Sequence, residues 1–536
     1  MKKQTKLVAV LSTAALLAIG ASMTSFAATG WAEEDGTWVY YDRNGDKVTD
    51  KWAKSGNNWY YLDSNGEMAV DTLIEDGDNY YYVDVNGVMA ANQWVAIDNE
   101  EAGQDDEPEH YWYYFQANGK ALTNGENSKV ALKTINGKKY AFDDEGKMLY
   151  GWVDENSAER IDNTDGDAFK EATYYFGGED DGAMTTGWLL MDITYDEATS
   201  DYEIAPAFNE DEDQSRWFYF KSNGKMIKAD NGERTKDKTI NGKKYAFDEY
   251  GAMVAEWSLD EGDEKIASKS EERAKASVDV ATTSEAWNGA GNYAKYTQAW
   301  RYFNSVEDGS RVSKGWFKVV AAEMLNKDKY DDDEDAWYYA DGSGKLYAGE
   351  FKTIKGKKYA FRNDGRMLSG LKFIKEGTDD FAGVVADDDD NHSFDNEDDF
   401  LAQASTYFEG EGYKCYYFGG DEDGAMRTGK TSLTFDGENT NFYFEKSGGK
   451  KGAGVTGEKD NKLYQSGMLL KADSDDKYTV VDKETHIKDD GTKYETYTKL
   501  DDAKAFMDSV KDNGGKVNDE LAGKEGSATL PRRLKT

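Results

Sequence analysis

The sequence predicts an all-β chain, a solenoid of tandem β-hairpins carrying acidic loop insertions. Three observations point there. Trp31, Trp52, Leu73 and Trp94 each open a near-copy of one segment at an interval of 21 residues, and a fixed short period marks units too small to bury their own apolar side, which must stack on one another. Asn-Gly pairs recur at Asn44-Gly45, Asn65-Gly66, Asn86-Gly87, Asn118-Gly119 and Asn223-Gly224, supplying the positive φ that tight turns need. The chain holds 36 Tyr and 14 Trp but one cysteine, Cys415, so no intramolecular disulfide is available and cohesion must come from stacked rings.

Taken in order, residues 1–27 read as a secretory signal: Lys2, Lys3 and Lys6 precede an apolar run from Leu7 to Ile19, and small residues follow at Ser25 to Ala28. The run is short for a membrane span, and no second candidate follows, so no integral membrane segment is expected after signal removal. The array itself is expected over residues 28–470. Within one unit, Trp59, Tyr60, Tyr61 and Leu62 alternate faces, with Trp59 and Tyr61 on one side and Tyr60 and Leu62 on the other. A shorter unit, Thr134 to Phe142, returns at Thr239 to Phe247 and Thr353 to Phe361; lacking both tryptophans, it reads as a structural spacer. A third kind ends in an acidic turn, as at Tyr175 to Met184, Tyr302 to Gly309 and Tyr417 to Met426. Long, short and acidic units form triplets that begin at Trp94, Trp188 and Trp316.

In those triplets the opening residue and the second aromatic move apart, from 7 residues between Trp52 and Trp59 to 18 between Trp94 and Trp112 and 29 between Trp188 and Trp217. The inserts are acidic, as at Asp331 to Asp335 and Asp387 to Asp390, and are expected to be solvated excursions. Glu264 to Val278 has helix-forming composition. Residues 471–536 form a degenerate carboxyl-terminal segment, part helical, with Leu500, Ala503, Met507 and Val510 at helical spacing. Leu530 to Arg533 lacks a following apolar tail, so wall attachment is expected to be non-covalent.

A formal charge of -40 repels polyanions, which argues against nucleic acid and leaves cations and neutral glycans unpenalised. His110, His392, His486 and Cys415 suggest no nucleophile-base pair. With 105 acidic residues, a carboxylate pair carries no information, and no segment has the spacing of a calcium loop. The expectation is a non-catalytic protein with no catalytic residues, no metal site and no cofactor.

Gly30, Trp31, Trp38, Tyr40, Tyr41 and Gly45, then Trp52, Trp59, Tyr60, Tyr61, Gly66 and Met68, resemble the cell-wall-binding repeats of choline-binding proteins. The short units are similar to repeats of clostridial toxin tails and streptococcal glucan-binding domains of the same superfamily. The resemblance runs from Gly30 to about Met468 and leaves the ligand open among choline, glucans and other surface glycans. It implies an aromatic cage of two tryptophans from one hairpin and a tyrosine from the next, with methionine alongside. Carried over by position, this gives Trp31 and Trp38 with Tyr61, and Trp52 and Trp59 with Tyr82; Met68 and Met89 are neighbours. Trp94 with Trp112, Trp188 with Trp217, and Trp316 with Trp337 form a second set, in which inserts separate the tryptophans and a short unit follows. A quaternary ammonium donates no hydrogen bond, so ring faces are its natural partners. Packing between hairpins is the competing role for every one of these rings. The expected function is that of a secreted surface protein, non-covalently wall-associated, that binds a cell-wall polymer or surface glycan, with choline one candidate; the alternative is a structural or adhesive spacer whose acidic inserts contact other proteins.

Overall fold

A computed structural model describes residues 29–104, 106–193, 214–230, 234–259, 293–322, 325–377, 381–385, 394–435, 437–472, 478–500, 503–512, 520–523 and 528–529. The expected signal segment, the helix-forming insert at 264–278, the acidic run at 387–390, His392 and the terminal 530–533 lie outside them. The chain divides into two compact units, Met1–Thr186 with Ser222–Lys225, and Gly187–Lys221 with Met226–Thr536.

In the first unit, consecutive strands pair as antiparallel hairpins: β1 (Gly30–Glu34) with β2 (Thr37–Tyr41), β3 (Lys51–Ser55) with β4 (Asn58–Leu62), β5 (Thr72–Asp76) with β6 (Asn79–Val83), and β7 (Gln93–Asp98) with β8 (His110–Phe115). The short unit pairs β9 (Lys133–Ile135) with β10 (Lys138–Tyr140), and β11 (Trp152–Val153) pairs with β12 (Tyr174–Tyr175). Each regular hairpin ends in a second turn held by one carboxylate: Asp63 Oδ1 accepts from the Asn65 N–H at 2.8 Å and the Glu67 N–H at 2.9 Å. The short unit turns on Asn136 and Gly137, with φ of 49° and 84°, the left-handed pair that a two-residue hairpin loop requires.

The returning chain then bonds to the preceding hairpin. The Met68 N–H donates to the Trp38 carbonyl at 2.7 Å, Met89 to Trp59 at 2.9 Å and Met148 to Trp112 at 2.8 Å. The side chains of these methionines lie over the turn glycines Gly87, Gly119 and Gly182. At Gly182 a Cβ would collide with the Met148 sulfur, and φ is +55°, so the glycine in each turn answers to the methionine below it. Leu62, Val83, Phe115, Phe142 and Phe176 close the strands and are fully buried; each such side chain contributes roughly 1.5–3 kcal/mol.

The second unit repeats the scheme with β13 (Gly187–Ile193) and β14 (Gln214–Phe220), β15 (Lys238–Ile240) and β16 (Lys243–Tyr245), β17 (Glu256–Leu259) and β18 (Trp300–Phe303), β19 (Gly315–Val320) and β20 (Asp335–Ala340), and β21 (Glu350–Ile354) and β22 (Lys357–Phe361). Met253 donates to Trp217 at 2.8 Å and Met367 to Trp337 at 2.7 Å. Among the described residues no helix is long and apolar enough to cross a membrane.

The inserts depart from the expectation. Asp331 to Asp335 is exposed as anticipated, but the insert after Leu371 folds inward. Its strand Phe381–Val385 pairs with Leu371–Glu376, and its helix Glu397–Thr406 buries Phe400, Leu401 and Ala404. Phe394, Phe400, Phe435, Phe442, Val481 and Tyr497 share one core. The apolar residues spaced among the acids decide the outcome, because burying them outweighs solvating their neighbours. Beyond residue 470, Tyr478–Ile487 and Lys493–Leu500 form a long hairpin. The helix Ala503–Asp512 follows; Leu500 ends the strand rather than joining that helix.

Candidate ligand-binding site

Strand register decides which rings meet. In the first hairpin Trp31 pairs with Tyr40 and Glu33 with Trp38, so Trp31, Trp38 and Tyr40 share a face. The next hairpin presents Tyr60 to that face: Trp31 lies edge-on to Tyr40 at 5.2 Å and to Tyr60 at 5.1 Å. One period later, Trp52 shares a face with Trp59 and Tyr61 and receives Tyr81 at 5.0 Å.

The tyrosines assigned from sequence are therefore one residue out. Tyr61 stands opposite Trp52 of its own hairpin, 5.1 Å away, and faces away from Trp31. Tyr82 stands opposite Leu73, donates to Asp71 and stacks on Phe115 at 6.2 Å. Alternation separates the two faces of a strand, and the face that meets the preceding hairpin is the one carrying Tyr60 and Tyr81. Met68 and Met89 are neighbours of the groups, tied by their backbones to Trp38 and Trp59.

The second set has the same geometry. Trp94 meets Tyr140 at 5.0 Å, with Trp112 on its face. Trp188 lies 6.1 Å from Trp217 and 4.8 Å from Tyr245; Trp316 lies 6.3 Å from Trp337 and 4.9 Å from Tyr359. Tyr140, Tyr245 and Tyr359 belong to the short units, expected as structural spacers, and each supplies the third ring of its group. The recurring Lys-Lys-Tyr of those units was the available signal.

Other tryptophans are packing residues. Trp152 is 4 % exposed and lies against Phe169, while Trp257 and Trp300 are 7 % and 1 % exposed. By contrast Trp59 is 40 % exposed, and Trp31, Trp38, Trp188, Trp217, Trp316 and Trp337 are half-buried.

Charge differs from group to group. Across the hairpin from the second tryptophan stand Glu33, Lys54, Ala96, Leu190 and Lys318 in turn. The Lys54 ammonium lies 5.6 Å from the Trp59 ring. Asp76 accepts from Trp52 Nε1 at 3.1 Å. Burial first, and Asp76 second, hold the Tyr81 hydroxyl above its usual range, so that ring keeps its proton. The acidic turns reach back to the outer tryptophans: Asp180 accepts from Trp112 Nε1 and lies against His110 Nε2, both at 3.1 Å. Cys415 is buried, which pushes its thiol up and away from thiolate chemistry.

The family model for the choline-binding repeat matches residues 28–72 and 48–94. The amino-terminal hairpins are choline-binding repeats. A cell wall binding repeat model matches again at 212–226, the segment that carries Trp217. Over 393 residues the chain is 26 % identical to glucosyltransferase-S of Streptococcus mutans, covering 66 % of itself and 22 % of that protein; it thus spans about a fifth of this relative. Among solved structures, the modular autolysin LytC from Streptococcus pneumoniae is 18 % identical, with 64 % of this chain and 54 % of that one covered and a TM-score of 0.31. Choline binding protein F from the same organism is 16 % identical over 82 % of this chain and 98 % of its own, with a TM-score of 0.22.

Proposed function

We propose that this is a secreted, non-catalytic, non-covalently wall-associated protein that binds choline-bearing wall polymers or surface glycans through the Trp-Trp-Tyr groups between successive hairpins. The observation that supports it most is the recurrence of one geometry, a half-buried tryptophan set between two tyrosines with a second tryptophan on its face, at Trp31, Trp52, Trp94, Trp188 and Trp316. Ring faces attract a quaternary ammonium by about 0.5–2 kcal/mol each, and a chain of net charge -40 favours a cation over a polyanion.

Retention on choline-agarose with elution by free choline tests this. The full chain should be retained at low salt and released by choline; passage without retention removes the choline reading. The buried Trp152, Trp257 and Trp300 favour a spacer role for their own hairpins. If that role extended to the whole chain, replacing both Trp52 and Trp59 by Ala would leave surface retention intact.

A further inference from the structure

Beside Trp337 the second unit holds a cavity of about 220 Å³, below the roughly 300–1,000 Å³ typical of drug-sized ligands and suited to one small ring. Its lining joins four elements: β19 supplies Lys318, β20 supplies Trp337, the turn after β22 supplies Met367 and Ser369, and the acidic turn of the third unit closes the side. Three cations, Lys318, Arg362 and Arg366, face three carboxylates, Asp335, Asp421 and Glu422. The charges are held in place from within the protein. Lys318 Nζ donates to Glu422 at 2.7 Å, Trp337 Nε1 to Glu422 at 3.0 Å, Ser369 Oγ to Asp421 at 2.7 Å and Arg366 Nε to the buried Asp364 at 2.7 Å.

This is the opposite of a cage for a lone cation. The Lys318 ammonium stands 6.0 Å from the Trp337 ring centroid and disfavours a second cation there, as Lys54 does 5.6 Å from Trp59; the added guanidinium groups of Arg362 and Arg366 set this cavity apart. A lining of balanced charge gives an ion of either sign little to neutralise, whereas fixed donors beside fixed acceptors match hydroxyl groups, which do both. The half-buried Trp337 ring offers a flat apolar wall to the C–H face of a sugar. At the first hairpin the equivalent position is Glu33, opposite Trp38.

We propose that the Trp337 cavity is a site for a neutral hexopyranose unit, distinct in ligand from the cation cages, with Trp337 as the stacking wall and Lys318, Arg366 and Glu422 as hydroxyl partners. The inference deepens the glycan part of the function proposed above and does not depend on choline recognition elsewhere in the chain. The full chain labelled with 5-fluorotryptophan separates the two, with the Trp337 resonance identified by its loss in Trp337→Phe. Isomaltotriose, maltotriose and chitotriose are titrated in turn, and choline chloride separately. At least one trisaccharide should move the Trp337 resonance while choline leaves it in place, and Glu422→Gln should weaken that saccharide at least about 5-fold with the other tryptophan resonances unmoved. No shift at Trp337 with any trisaccharide overturns the proposal, as does a choline shift there at the concentration that moves Trp38. A saccharide shift at Trp337 with no choline response at any tryptophan would uphold this site and sink the choline reading.

Discussion

Trp188 meets Tyr245 edge-on at 4.8 Å, and the tyrosine comes from a unit that has no tryptophan of its own. The proposed binding group is thus a property of the joint between two consecutive units, and a short unit supplies its tyrosine as a long one does. Trp94 with Tyr140 and Trp316 with Tyr359 repeat the relationship.

Replacing Tyr60 by Ala should weaken choline at the first joint by about 2- to 30-fold, the range expected for one ring face. Tyr61→Ala should leave that joint unchanged and act on the second joint instead, where Tyr61 lies 5.1 Å from Trp52. Fluorine resonances of Trp38 and Trp59 during a choline titration report the two joints separately; equal effects of both variants at Trp38 would contradict the assigned faces.

The Lys54 ammonium sits over the Trp59 ring, while the first joint carries Glu33 at the matching position. Lys54→Glu should tighten choline at the second joint by about 3- to 10-fold at low salt, with the gain shrinking as ionic strength rises. Calorimetric titration at two salt concentrations measures it.

Gly182→Ala places a Cβ against the Met148 sulfur at a φ of +55°. A loss of about 1–3 kcal/mol is expected from strain and overpacking, read as a lower urea midpoint. Gly178→Ala, which has open space and an ordinary φ, is the neutral control. Adding Met148→Ala to Gly182→Ala should relieve the collision but not the backbone strain.

Asp143 opens the turn of a short unit and accepts from the Lys147 N–H at 2.7 Å. Burial pushes its carboxyl up to about 6. The folded chain therefore holds this proton more tightly than the unfolded chain, whose carboxyl titrates near 3.9. Asp143 favours folding most below about pH 4, and that contribution is lost as pH rises through about 6. Asp143→Asn keeps an acceptor for Lys147, so the variant should gain stability relative to the parent at pH 8 and match it at pH 4. Denaturant midpoints at the two pH values decide it; an equal change at both would remove burial of the charge as the cause.

The 21-residue period and the Asn-Gly pairs made the hairpins legible in sequence, and period-two alternation made the two faces of each strand legible. What alternation could not say is which face meets the preceding hairpin, and that is why Tyr61 and Tyr82 stood in for Tyr60 and Tyr81. Composition misled at the insert after Leu371, where acids surround Phe394, Phe400 and Leu401; average charge hides a few apolar residues that suffice to anchor a helix. The Trp337 cavity was not legible, because Lys318, Arg366 and Glu422 come together only when three units stack.

Because Met68 bonds to Trp38 and Met89 to Trp59, one repeat recognises the next through a fastening that is nearly identical along the regular stretch. Cutting out an interior copy should let the flanking copies fasten to each other and rebuild a joint, with one tryptophan pair and one tyrosine lost in register. Duplication or excision of copies can therefore change the number of joints in whole steps while leaving the chemistry of the remaining joints as it was.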